Sequence, residues 1–134
     1  MIQIYKSLSE NDGTLKKITS LEPGCWVNII APSQEELLLI SKKTGVPLEF
    51  LRAPLDDEET SRIEIEGDFI LIIVDIPFTE MEDNSLTYDT YPLAIIHTKN
   101  ELITVCLKNS KVLTDFSSNK VRNFYIDFKK AHYF

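Results

Sequence analysis

Four carboxylates stand in succession at Asp56, Asp57, Glu58 and Glu59. They are hard oxygen donors of the kind magnesium and calcium prefer, and magnesium commonly binds through one or two carboxylates while keeping its waters. A site formed between two protomers needs only a carboxylate or two from each. The plain alternative is a solvated acidic loop. The run is not an EF-hand loop, which needs oxygen ligands at alternate positions, a central Gly and a final Glu. A second acidic group, Glu80, Glu82 and Asp83, reads either as a partner for the first or as a hydrophilic hairpin connection.

Other chemistry finds little support. His97 and His132 form no His-x-x-x-His or His-Cys spacing, so a transition-metal site is not indicated. No strained Gly-x-Ser-x-Gly turn surrounds a serine. With four glycines, neither a Rossmann nor a P-loop cradle can be built. Cys25 and Cys106 are not a Cys-x-x-Cys pair and read as small buried hydrophobes. The chain does not read as an enzyme.

The elements that must hold these residues follow from periodicity and punctuation. Residues 2–5 and 15–18 read as strands on either side of a turn at Asn11-Asp12-Gly13. Residues 25–30, rich in β-branched and aromatic side chains, read as a buried strand. Within it Trp26 anchors the core, and Asn28 is expected to tie down the turn at Pro32-Ser33. Ser33 and Glu36 form a capping box at the start of a helix, Lys42 and Lys43 suit its last turn, and Gly45 closes it. A short helix is expected over 48–53, between Pro47 and Pro54. Residues 61–66 alternate as a half-exposed strand, with Ile63 and Ile65 on one face. Past a Gly67-Asp68 turn, residues 68–76 read as a central strand covered on both faces. An acidic loop is expected over 80–85. A hairpin through Thr98-Lys99-Asn100 then joins 86–97 to 101–107. Helices are expected over 112–119 and from about 121, the second carrying Phe124, Tyr125 and Phe128.

The whole of 1–134 is therefore one domain of α/β, or layered α+β, class: a mixed sheet of about six or seven strands with helices packed on its faces. At 134 residues it can bury a real core. Its 43% hydrophobic and 26% charged content is ordinary for a globular protein. The net charge of -7 argues against a nucleic-acid partner and against docking on an anionic membrane. The longest apolar run, 69–74, is too short to cross a bilayer. The last helix stops mid-pattern on Tyr133 and Phe134, which suggests a longer protein.

The order of these motifs resembles the cytosolic N-terminal domain of the CorA family of divalent-cation channels. Trp26, Val27, Asn28, Ile29, Pro32, Ser33 and Glu36 match an early strand, breaker and capped helix of that family. Gly45-Val46-Pro47 matches its helix closure. Leu55, Asp56, Glu58, Glu59, Arg62, Ile63 and Glu64, followed by Asp68-Phe69-Ile70-Leu71-Ile72, match an acidic stretch leading into an apolar strand. The hairpin over 92–107 resembles the family's next pattern.

The resemblance implies a soluble regulatory domain on the cytoplasmic side of the cell membrane, within a homopentamer that carries magnesium and in some members cobalt or nickel. Contact with the membrane would run only through C-terminal segments that this sequence lacks: the stalk helix and the pore with its Gly-Met-Asn signature. In the family, Mg²⁺ bound between neighbouring cytosolic domains holds the pore closed. The metal residues implied here are Asp56, Asp57, Glu58 and Glu59. One departure stands out: where some members carry an acidic pair in the short helix, this chain has Arg52 and Ala53. The implied site is then shifted, weakened or absent. A structural assembly domain without metal sensing, or a free-standing ligand-binding module, remains the alternative.

Overall fold

The computed structural model describes residues 1–7, 15–56, 60–109 and 113–114, and for residues 80–82 and 88 the backbone alone. The expected helices over 112–119 and beyond 121 lie outside these residues, apart from a short helical piece at 113–114.

Seven strands form one mixed sheet: β1 (Ile2–Ser7), β2 (Leu15–Ile18), β3 (Cys25–Ile30), β4 (Arg62–Glu66), β5 (Phe69–Glu82), β6 (Ser85–His97) and β7 (Glu101–Cys106). Their order is β2-β1-β3-β7-β6-β5-β4. Only β3 and β7 run parallel, joined through every element between them in the chain. The other neighbours are antiparallel.

Two helices follow β3. α1 (Gln34–Thr44) begins as its sequence requires: Ser33 Oγ accepts from the Glu36 N–H, and Glu36 Oε1 accepts from the Ser33 N–H at 2.9 Å. Gly45 ends it at φ 80°, a left-handed conformation that costs little without a Cβ. α2 is Leu48–Arg52, one residue shorter than expected, because Ala53–Leu55 tightens into a 3-10 turn around Pro54.

Each face of the sheet carries its own core. On the helical face, Val27, Ile29, Leu71, Ile73, Ala94, Ile96, Ile103 and Val105 pack with Leu37 and Ile40 of α1 and with Phe50 and Leu51 of α2. On the opposite face, Tyr5, Trp26, Phe78, Leu93, Ile95, Cys106 and Leu113 form a second cluster. Strand alternation makes this division: odd positions of β3 face the helices and even positions face away. Every residue of β3 is buried.

Three expectations are corrected. The acidic stretch over 80–85 is not a loop. β5 and β6 continue through it and meet at Asp83-Asn84, whose φ of 49° and 64° are those of a two-residue type I′ turn. The strand over 61–66 is not half-buried: Ile63 and Ile65 are 68% and 73% exposed, because β4 lies at the sheet's edge. Asn28 turns its side-chain oxygen to the neighbouring strand β7 rather than to the turn at Pro32, accepting from Thr104 Oγ1 at 3.1 Å.

Candidate metal site

Asp56, the first residue of the acidic run, follows α2 and its 3-10 turn. Phe50, Leu51 and Pro54 are buried against the sheet and fix the direction in which the chain leaves α2. The 3-10 turn closes with the Asp56 N–H donating to the Ala53 carbonyl at 3.4 Å. Asp56 itself is exposed, with extended backbone at φ -94° and ψ 113°. Asp57, Glu58 and Glu59 lie outside the described residues. Thr60 and Ser61 are exposed, and the chain then enters the edge strand β4.

Arg52 is exposed at the end of α2, and Ala53 is partly buried. Asp83 sits at the tip of the β5–β6 hairpin, about 33 Å along β5 from Ile73 at a strand rise of ~3.3 Å per residue. Ile73 is the partner of Arg62 at the start of β4, so the hairpin carries Asp83 away from the point where the chain enters β4. His97 is half-buried in β6. Among the described residues, no three His, Cys, Asp or Glu side chains come together in a way that could hold a metal ion. A cation at Asp56 therefore needs oxygens from beyond the described residues or from water.

The thiols of Cys25 and Cys106 are pushed above the usual cysteine range, first by burial; both are free and inert in this setting. Glu36 is held below the usual carboxylate range, first by the Ser33 N–H and then by the Met1 ammonium 3.0 Å away. These shifts belong to folding and capping.

One polar constellation escaped sequence reasoning. Trp26 Nε1 donates to Thr104 Oγ1 at 2.8 Å, and Thr104 donates on to Asn28 Oδ1, all three buried. Trp26 and Asn28 stand out in the sequence. Thr104 does not, because its role depends on the parallel pairing of strands more than seventy residues apart. No helix among the described residues is long and apolar enough to cross a membrane.

Known proteins give this arrangement a context. No protein-family model matches the chain. The cobalt/magnesium transport protein CorA of Methanocaldococcus jannaschii is 38% identical over 80 residues, which is 60% of this chain and 24% of that protein. The solved soluble domain of CorA from the same organism superposes with a TM-score of 0.71 at 25% identity, over 96% of this chain and 50% of that one. The complete CorA magnesium transporter gives 0.69 at 25% identity, over 90% and 36%. The ZntB cytoplasmic domain from Vibrio parahaemolyticus, at 0.61 and 14% identity over 88% of this chain and 50% of that one, shares the fold alone. The chain thus spans about a quarter of the curated relative and a third to a half of the solved chains.

Proposed function

For a chain that is CorA-like in sequence and in fold, we propose the role of soluble regulatory and assembly domain of a divalent-cation transporter. The observation that carries this reading is the agreement with the CorA soluble domain over 96% of the chain, joined to 38% identity with a cobalt/magnesium transport protein over 80 residues. The domain sits on the cytoplasmic side of the membrane, within a homopentamer whose pore is formed by segments that follow this sequence. Its business is with Mg²⁺ as regulator; Mg²⁺, Co²⁺ or Ni²⁺ would be the cargo.

The proposed mechanism is electrostatic. Asp56, Asp57, Glu58 and Glu59 of one protomer face a neighbour, and Mg²⁺ screens the like charges that would otherwise push the subunits apart. Bound ion favours the packed, closed ring, and its loss lets repulsion loosen the ring. This is a population shift driven by the ion's differential affinity for the two states.

A second reading, assembly without sensing, is favoured by Arg52 and Ala53. Arg52 ends α2 and Ala53 opens the 3-10 turn, where the resemblance to the CorA family would put a carboxylate pair, and neither can ligate a cation. Thermal melting of the chain in millimolar MgCl₂, against NaCl of equal ionic strength, separates the two. A sensor melts at higher temperature with Mg²⁺, and Asp56→Asn with Asp57→Asn removes the increment; a scaffold has none to lose. An unchanged melting temperature and oligomeric state in MgCl₂ contradicts sensing by this chain.

A further inference from the structure

A groove lies open on the helical face, between α1 and the β1–β2 end of the sheet. Its volume is about 390 Å³, within the size range of sites for small organic ligands. Ile2 and Ile4 of β1 and Ile18 of β2 form one side, with Ile4 and Ile18 paired across the strands. Leu21 follows them, and all four side chains are only partly buried. Leu39, Ile40 and Lys43 of α1 form the other side. Leu39 and Lys43 stand one helical turn apart, and Leu39 is 47% exposed. Lys17, Thr19 and Ser20 complete the lining, all of them exposed.

Charge in the groove runs against the charge of the chain. The whole carries 21 acidic and 14 basic side chains, whereas the lining has two lysines and no carboxylate. The carboxylates closest in sequence are already engaged. Glu22, beside Leu21, holds Lys6 at 3.3 Å, and Glu36, one turn before Ile40, holds the Met1 ammonium at 3.0 Å. Lys17 and Lys43 make no hydrogen bond or ion pair among the described residues. Lys42 and Lys43 both suit the C-terminal end of α1, but only Lys43 lines the groove. Leu38 is as exposed as Leu39, at 49%, and does not line it.

An apolar trough with ammonium groups and no anion fits a ligand with an apolar body and a negative head. The lining offers point charges, with neither an arginine fork nor a cradle of backbone N–H groups, which suits one carboxylate better than a phosphoryl group. We propose that the groove binds a small single-chain carboxylate amphiphile, a medium-chain fatty acid, with its head at Lys43 and its chain along Ile2, Ile4 and Ile18. The proposal goes beyond the transporter reading and needs neither Mg²⁺ nor the acidic run, so its failure leaves that reading untouched.

The test is a titration of the full chain with decanoate, below the concentration at which it forms micelles and at physiological ionic strength. Isoleucine and leucine methyl resonances report where it binds. Saturable shifts are expected at Ile4, Ile18 and Leu39, and none with decyltrimethylammonium, whose head has the wrong sign. From hexanoate to decanoate each added methylene tightens binding by roughly two- to fourfold, as apolar surface leaves water. Lys43→Glu weakens binding by about fivefold, whereas Lys42→Glu, the same charge change one residue earlier, leaves it at the wild-type level. Leu39→Asp weakens it by about tenfold or more, and Leu38→Asp does not. All four positions are exposed, and melting temperatures confirm that the variants fold. Shifts that never saturate, or that spread over the whole molecule, overturn the proposal. So does decyltrimethylammonium binding as tightly as decanoate, or Lys42→Glu weakening binding as much as Lys43→Glu.

Discussion

β3 and β4 are strands of similar length with opposite fates. All six residues of β3 are buried, whereas four of the five in β4 are exposed and the fifth is half-buried. Both carry aliphatic side chains, so hydrophobicity does not separate them. Position does: β3 lies inside the sheet with a core on each face, and β4 lies at the end of it. β3 is built to hold the fold, and β4 to present a surface. Substitutions in the two strands should therefore move different observables.

The largest effect is expected in β3. Trp26→Ala removes a fully buried indole and leaves the Thr104 hydroxyl oxygen without the N–H it accepts from; urea unfolding should show a loss of about 3–5 kcal/mol. Next comes Thr104→Val, which keeps the shape but leaves Trp26 Nε1 and Asn28 Oδ1 without their shared partner, at about 1–3 kcal/mol. If Thr104→Val were neutral, the relay would be incidental and β3 would be held by packing alone. Ser33→Ala, which opens the α1 cap, should cost ~1 kcal/mol. In β4, Ile63→Ser or Ile65→Ser should change stability by no more than about 0.5 kcal/mol, because each side chain is already in water.

pH separates buried from exposed groups in the same way. Cys25 and Cys106 have raised folded values, so their contribution is intact below the unfolded thiol value of about 8.5 and fades as pH climbs from there towards the folded values. A thiol reagent at neutral pH should label them only on unfolding; rapid labelling of the native chain would mean an open core. Glu36 has a lowered folded value, so its contribution is present above the ordinary carboxylate range and is lost as pH falls through the folded value. Glu36→Gln should remove that acid-side dependence, read as melting temperature against pH.

Local signals were readable from the residues alone. The Ser33–Glu36 box, the Gly45 closure and the Gly67-Asp68 turn each need only neighbours in the chain, and each is found. Gly67 at φ 60° supplies the positive angle that lets Glu66 pair with Phe69. What escaped depends on distant partners or on competing signals. In Glu80 to Ser85, charge suggested a loop, while the turn chemistry was confined to Asp83-Asn84 and two long strands absorbed the rest. The alternation of β4 suggested a buried face, but strand order, which decides burial, is not written in local sequence. Of the candidate site, Asp56 is placed at the exposed exit of the 3-10 turn, and among the described residues no cluster of ligands gathers around it.

The central claim, regulation of a cation transporter, is tested most directly in a chimera. This chain would replace the matching segment of the M. jannaschii CorA protein, and Mg²⁺ uptake into vesicles would be followed at a series of internal Mg²⁺ concentrations. The account predicts uptake that shuts off as internal Mg²⁺ rises, with Asp56→Asn and Asp57→Asn shifting shut-off to higher concentration. A chimera that assembles in the membrane and takes up Mg²⁺ at the same rate whatever the internal concentration would contradict it.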